Sequence, residues 1–373
     1  MDGSYLHIVS LTIPWPPDYG GAIDIWYKLP AFRKEGIRII LHCFEYDRKP
    51  DEILLKYCEK VYYYQRKRRL TDFLSLTPFM IKTRESKTLM NNLRKDDHPI
   101  LLEGIHSISV TREKSLRDRK IWLRPHNVEA GYTRDLARAE DSFPRKLFFY
   151  LESLKLKYYE RKKLNVKGIF CISEPDKEFF SKYNKNCMLL PPFHAHEKVT
   201  SKPGRGKYLL YHGNLSISEN RQNALFLSRI CHRFPLPLII AGRSPRSSFL
   251  KKLQVFPNAT VKTDLSPTDM NALIRDAAMI LLPARQTSGF RLKLLSSLYM
   301  GRHIIASPQM VYQTGLAALC HQATTENEWV RTIKELSDVS FSEREKENRE
   351  NVLKPFSNES NAKFLKSVIF PEK

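Results

Sequence analysis

Short apolar runs punctuate the chain, and the segments between them carry apolar residues at spacings of three and four. In the first half the runs fall at residues 6–13, 38–44, 61–64, 100–103, 121–123, 168–172 and 188–190, with helical patterns between several of them. Residues 194–207 are mostly polar, contain Pro203, Gly204 and Gly206, and break the alternation. The pattern then restarts. Runs at 208–211, 238–241, 260–262, 279–282 and 304–306 alternate with helical patterns at 220–233, 246–256, 267–276, 289–300 and 327–336. Strands that are apolar throughout and separated by helices belong to parallel sheets covered on both faces. The expectation is an α/β protein with two Rossmann-like domains, residues 1–193 and 208–340, joined by a linker at 194–207, with a ligand cleft between them.

Composition narrows the class. At 373 residues and 42% apolar, the chain is long enough for two packed cores. No run of about 18 or more apolar residues is present, so no membrane span is expected. The segment Met1-Asp-Gly-Ser-Tyr-Leu-His-Ile-Val-Ser lacks a basic region and a long apolar stretch, which points to a cytoplasmic address. Six cysteines without Cys-x-x-Cys spacing read as free thiols, with Cys43, Cys171 and Cys187 in or beside apolar runs. The balance of 62 basic against 40 acidic residues gives +22 and favours anionic partners. The signatures of a helix-turn-helix, zinc finger or RNA-binding sheet are missing, so nucleic acid is not an expected partner.

Four segments carry candidate chemistry. Ser288-Gly-Phe-Arg-Leu-Lys-Leu-Leu-Ser-Ser-Leu-Tyr-Met-Gly301 follows one apolar run and precedes another, and reads as tight turn, helix and glycine stop. Leu292, Leu295 and Tyr299 share one helical face. A helix starting beyond the C-terminal end of a buried strand offers free N–H groups to a phosphate, and Gly289 permits close approach. Pro16-Pro17-Asp18-Tyr19-Gly20-Gly21-Ala22 follows the first strand and opens a helix. Arg124-Pro125-His126-Asn127-Val128-Glu129 ends another strand, with Asn127 a good helix cap. Tyr211-His212-Gly213-Asn214-Leu215-Ser216 ends the first strand of the second half, with Arg221 and Arg243 the nearest cations. Each has a plain structural alternative: an ordinary βα turn, a structural histidine, a solvated arginine.

Together these segments resemble the GT-B glycosyltransferases, specifically the family 4-like group 1 type. The family's donor motif runs Glu-Gly-Phe-Gly-Leu, apolar residues, Glu-Ala, then Gly and Pro. Gly289, Phe290, Leu292, Leu295 and Gly301 match it, while Ser288 and Ser296 replace the two glutamates. The form with Lys293 is similar to divergent members of bacterial surface-polysaccharide clusters. The resemblance implies a retaining transferase that moves a hexose, mannose among the candidates, from a nucleotide sugar to a lipid-linked or polysaccharide acceptor. It implies donor contacts from Gly20, Gly21, Gly213, Asn214, Arg221, Arg243, Ser288, Gly289, Phe290, Arg291, Lys293 and Ser296, and a catalytic group of His126, Asn127 and Glu129. His126 would orient a sugar hydroxyl or the departing group, since the donor's own phosphate assists attack. It further implies that residues 341–373 return to the first domain.

No metal and no cofactor beyond the nucleotide-sugar co-substrate is expected. Asp-x-Asp is absent, and His194-Ala-His196-Glu197 lacks further ligands at sensible spacing. Two basic tracts remain. Arg66-Lys67-Arg68-Arg69 precedes Phe73-Leu74-Ser75-Leu76, and Leu147, Leu151, Leu154 and Tyr158 recur at helical spacing beside Lys155, Lys157, Arg161, Lys162 and Lys163. The second is either a core-facing stripe or, with the first, a surface for anionic lipid at the inner membrane face. The rival functions are a nucleotide-sugar epimerase and a catalytically silent nucleotide-sugar-binding protein, the latter favoured by the two serines.

Overall fold

The structure, a computed structural model, describes residues 4–46, 48–140, 142–162, 164–243, 245, 247–285 and 292–371. The chain divides into two compact units. The first holds the described residues up to Ala195 and those from Phe356 onward; the second holds those from His196 to Pro355.

In the first unit, the described strands are β1 (Tyr5–Ser10), β2 (Arg38–Glu45), β3 (Lys60–Gln65), β4 (Ile100–Glu103), β5 (Ile121–Arg124), β6 (Gly168–Cys171) and β7 (Cys187–Leu189). They form one parallel sheet in the order β3-β2-β1-β4-β5-β6-β7. The helices are α1 (Gly20–Lys34), α2 (Phe79–Lys82), α3 (Lys87–Leu93), α4 (Glu129–Ala139), α5 (Phe143–Lys162) and α6 (Glu174–Phe180). Strands β4, β5 and β6 are buried at every position, as a sheet covered on both faces requires. One core cluster joins Leu6, Ile8, Leu29, Phe32 and Trp122; another joins Val9, Phe44, Leu102, Leu123 and Leu156.

The second unit repeats the scheme. Its described strands are β8 (Leu209–His212), β9 (Leu238–Gly242), β10 (Ala259–Thr263), β11 (Met279–Leu282), β12 (His303–Ala306) and β13 (His321–Gln322), parallel in the order β10-β9-β8-β11-β12-β13. Its helices are α7 (Ser218–Cys231), α8 (Ser247–Leu253), α9 (Pro267–Asp276), α10 (Leu292–Met300), α11 (Pro308–Val311), α12 (Glu326–Leu336) and α13 (Glu343–Leu353). Side-chain caps set several starts. Ser266 accepts from Asp269 N with Pro267 at the first helical position, and Thr325 with Glu328 and Ser342 with Glu345 form capping boxes.

The boundary between the units, after Ala195, falls within the stretch 194–207 read as a linker, and that stretch is hydrogen-bonded on both sides of it: His194 to Phe356 in the first unit, Thr200 to Tyr299 and Gly204 to Phe341 in the second. Other expectations change. Only the last helix, α14 (Asn358–Ile369), lies in the first unit, where Ala362, Leu365 and Ile369 join the core beside Leu29 and Phe32. Helix α13, expected to return there as well, belongs to the second unit. Its buried Arg349 donates to the carbonyls of Leu298, Gly301 and Arg302 and holds the end of α10. Gly301 owes its place to packing: an added Cβ would collide with the Ile280 side chain and approach Ser297 O.

Helix α5 is turned the other way from a core-facing stripe. Leu147, Leu151, Leu154 and Tyr158 are exposed, while Glu152, Ser153, Leu156, Tyr159 and Glu160 face inward. The inward glutamates are needed there because they cap other helices. Glu152 accepts from Phe79 N at 2.6 Å, and Glu160 from Glu129 N at 2.6 Å and Ala130 N at 3.3 Å. The neighbouring 3₁₀ turn Leu70–Leu74 joins α5 through Phe73 and Phe148, with ring centroids 5.5 Å apart, and leaves Leu70, Leu74 and Leu76 exposed. Among the described residues no helix is long and apolar enough to cross a membrane.

Candidate functional site

In open parallel sheets, ligands bind beyond the C-terminal strand ends where the strand order reverses. In the first unit that point lies between β1 and β4; in the second, between β8 and β11. Both carry expected site residues.

After β1 the chain enters α1 at Gly20 and Gly21. Tyr19, the residue before the helix, provides no side-chain cap, and no acid occupies the first turn. The first turn therefore presents main-chain donors at the positive end of a 15-residue helix. His126 follows β5. An added Cβ on Gly21 would lie 3.0 Å from His126 Nδ1 and 3.2 Å from Tyr19 Cε2. Two turns distant in sequence thus meet, and glycine is what lets them.

Beneath His126 lies an ionic network that the sequence reading did not include. Glu103 ends β4, Arg124 ends β5, and the two are register partners. Both are fully buried, as are Asp24 and Lys28 on α1. Arg124 grips Asp24 through two contacts of 2.8 Å. Lys28 pairs with Asp24 at 3.1 Å and with Glu103. Phe193 N donates to Asp24 at 2.8 Å. Burial opposes the charge on Asp24, but Arg124 and Lys28 outweigh it and hold the carboxyl far below its ordinary range. Burial likewise opposes ionisation of Glu103; Lys28 and His126 reverse that and keep its pKa low. His126 Nε2 lies 3.0 Å from Glu103 Oε2. An ionised Glu103 takes its hydrogen bond from Nε2, and in the neutral imidazole that tautomer leaves Nδ1, on the Gly21 side, as an acceptor for a hydroxyl.

Asp24, Glu103 and His126 bring ligand-type atoms within 4.8 Å of one another. Lys28 and Arg124 already neutralise the two carboxylates, so a divalent ion would have to displace a buried ammonium. The trio fits charge compensation better than metal coordination.

The other two expected catalytic residues sit deeper or elsewhere. Asn127 does not cap α4: the cap position is Val128, without a side-chain bond, and the distant Glu160 takes the first N–H groups. Glu129 is buried. Burial pushes its carboxyl up to about 7, with Asp176 adding to the effect. Burial and then Glu129 push Glu160 to about 8, and burial pushes Asp176 to about 6. Glu129 therefore belongs to an inward acid cluster under the loop.

In the second unit, Gly213 and Asn214 follow β8. Asn214 Oδ1 accepts from Ser216 N at 3.0 Å, and its carbonyl accepts from Asn220 at 2.9 Å. Arg221 donates to Leu215 O at 2.9 Å and to Ser216 O, so its first task is to hold this turn. Arg243 lies exposed after β9 and its carbonyl accepts from Leu215 N at 3.1 Å. The two turns are in close contact, since a Cβ on Gly242 would strike Gly213 O. On α10, Lys293 Nζ sits 5.5 Å from the Tyr211 ring centroid, and Ser296 Oγ lies 3.0 Å from His196 Nε2. Ser288, Gly289, Phe290 and Arg291 lie outside the described residues.

Residues 206–338 match the family model described as Glycosyl transferases group 1. A Klebsiella pneumoniae protein, described as an uncharacterized 44.6 kDa protein in the cps region, is 26% identical over 314 residues, covering 78% of this chain and 79% of its own. Among solved structures, Anabaena HepE in complex with UDP and glucose is similar at a TM-score of 0.64 and 9% identity, covering 98% of this chain and 99% of its own. The pneumococcal O-GlcNAc transferase GtfA, in complex with UDP and GlcNAc, gives 0.65 and 10%, covering 99% of both chains.

Proposed function

We propose, from a chain that belongs to the group 1 glycosyltransferases through residues 206–338 and has the GT-B fold, that it is a retaining, metal-independent transferase. It moves a hexose from a nucleotide sugar to a lipid-linked or polysaccharide acceptor in cell-surface glycan synthesis. The UDP and sugars bound by HepE and GtfA support a nucleotide-sugar donor, and the cps-region relative supports a surface polysaccharide. The observation that carries the reading is His126. Its Nε2 is tied to Glu103 at 3.0 Å, and a Cβ at Gly21 would come within 3.0 Å of its Nδ1.

In the proposed reaction the bond from the sugar's anomeric carbon to the diphosphate breaks. The acceptor hydroxyl bonds to that carbon on the same face, and its proton passes to the departing phosphate. Arg221, Arg243 and Lys293, beside the Gly213 turn, oppose the growing negative charge. His126 Nδ1 accepts from a sugar hydroxyl and orients the ring. Glu103, Lys28, Asp24 and Arg124 are positioning residues that fix the imidazole. Labelled nucleotide sugars with lipid-linked acceptors, in chelator, test this: product with one donor is expected, and its absence with every donor would overturn it.

The exposed leucines at 70, 74, 76, 147, 151 and 154, flanked by Arg66, Lys67, Arg68, Arg69, Lys155 and Lys157, support docking at the anionic inner face of the membrane. Vesicles containing phosphatidylglycerol should retain the protein and release an L74D/L151D variant. Equal retention of both would remove this surface.

A further inference from the structure

The turn that carries His126 is held from outside itself. Pro125 has no N–H, and Val128, at the cap position of α4, has no side-chain bond to the helix start. Carboxyls from two later helices meet the N–H groups that follow. Glu160 on α5 accepts from Glu129 N at 2.6 Å and from Ala130 N at 3.3 Å. Asp176 on α6 accepts from Val128 N and, at 2.6 Å, from Ser173 Oγ. The Asn127 side chain donates to Glu129. His126 thus has two ties, its ring to Glu103 at 3.0 Å and its main chain, through the residues that follow, to Glu160.

As a helix start this arrangement is costly. Glu129, Glu160 and Asp176 are all buried. Burial opposes the charge of each, and Glu129 then raises Glu160 further, to about 8. A serine or aspartate at position 128 would cap α4 locally, with no need for three buried acids in one place. The distant carboxyl supplies what a local cap cannot, a fixed place for the turn against the rest of the unit. Helix α5 is anchored by Leu156 and Tyr159 in the core that holds Leu102, Leu123 and Ala130. Leu102 and Leu123 precede Glu103 and Arg124 on β4 and β5. The groups that fix the ring and the carboxyl that fixes the turn therefore stand on one core.

We propose that Glu160 is a positioning residue for His126, holding the turn after it in the place from which the imidazole reaches Glu103. This deepens the transferase reading and rests on it for the role of His126. Near neutral pH a group raised to about 8 is largely uncharged, so the turn needs an acceptor oxygen at the right distance and not a negative charge. Helix α5 also carries a control. Glu152 accepts from Phe79 N at 2.6 Å and starts α2, which bears no proposed site residue.

NMR of the histidine-labelled full chain tests this without any ligand, reading the His126 Cε1–H signal, assigned by its absence in H126A. E160A should shift that signal by more than its linewidth. E160Q, which keeps one acceptor oxygen, and E152A, which removes the equivalent cap from α2, should leave it in place. E160D keeps the acid but withdraws it by one methylene; it should shift the signal too, and it decides the matter where E160A does not fold. A signal unmoved in E160A and E160D, or moved equally in E152A, would overturn the proposal. Transfer assays with UDP-glucose, UDP-N-acetylglucosamine and GDP-mannose as donors give the second readout. E160A should lower kcat at least tenfold with the donor KM unchanged, and in an H126A background the same substitution should cost less than twofold. Equal losses in both backgrounds would also overturn it. No product from the wild type with any donor would end the transferase reading, while the His126 signal still decides the positioning.

Discussion

The two units reach their C-terminal strand ends with different materials. The first places four fully buried charges, Asp24, Lys28, Glu103 and Arg124, under a single histidine. The second builds its turn from main chain, with Gly213 and Gly242 in contact and Arg221 stapling carbonyls. A buried network fixes one side chain in one tautomer, which suits chemistry at a defined atom. A main-chain turn with cations beside it suits a diphosphate, whose charge is large and diffuse. In the proposed transferase, the first unit orients the sugar and the second recognises the donor's phosphates.

The largest way to break the contrast is D24N. It leaves Arg124 buried without its carboxylate, so the first unit should lose about 3–5 kcal/mol in urea unfolding. A loss below about 1 kcal/mol would mean that the network is not what fixes the site. H126A should leave nucleotide affinity intact and lower transfer by roughly a hundredfold, about 2.7 kcal/mol of lost orientation. Unchanged turnover would remove His126 from the site. G21A sharpens the point because two effects diverge. Alanine favours helix by up to about 1 kcal/mol, so stability should hold or rise. The added methyl crowds Nδ1, and transfer should fall by about tenfold. A parallel loss of stability and activity would make the effect one of folding.

The smallest test concerns pH. Glu160 and Glu129, raised to about 8 and about 7, keep protons in the folded state that the unfolded chain has released. The folded state then binds more protons, so stability should fall as pH rises through that range. His7, His42 and His106 act oppositely, since burial lowers them, but their contribution is lost only as pH falls below about 6.5. Between about pH 6.5 and 8.5 the acids are isolated. E160Q should flatten the slope, by at most about 1.4 kcal/mol per pH unit. An unchanged slope would place the proton elsewhere.

Much of this was legible in the chain. The apolar runs mark most strands to within a residue or two, because buried parallel strands have no polar face to blur them. Strand β13 was not legible: His321 and Gln322 are polar and exposed, and only β12 defines them. The turns at Gly20, His126 and Gly213 were legible because glycine and a lone histidine stand at strand ends. The network beneath His126 was not. Glu103 and Arg124 each close a short apolar run, where a charge ordinarily marks the end of a strand. Only the pairing of β4 with β5 brings them together. A signal was present on α1, where Asp24 and Lys28 stand four apart among Ala22, Ile25, Leu29 and Phe32. Charges on an apolar helical face ask for partners. Helix α5 was legible only as two alternatives, because spacing alone does not say which face is buried; its apolar stripe faces outward, and the inward glutamates answer to α2 and α4, which are distant in sequence.

The most direct measurement is a thermal-shift series with nucleoside diphosphates and nucleotide sugars in chelator, on wild type, H126A and R221Q/R243Q. A ligand at about 100 times its Kd stabilises by about 2.7 kcal/mol, so modest binders register. The account predicts a shift with one nucleotide, kept in H126A and lost in R221Q/R243Q. No shift with any nucleotide, or a shift lost in H126A and kept in R221Q/R243Q, would contradict it.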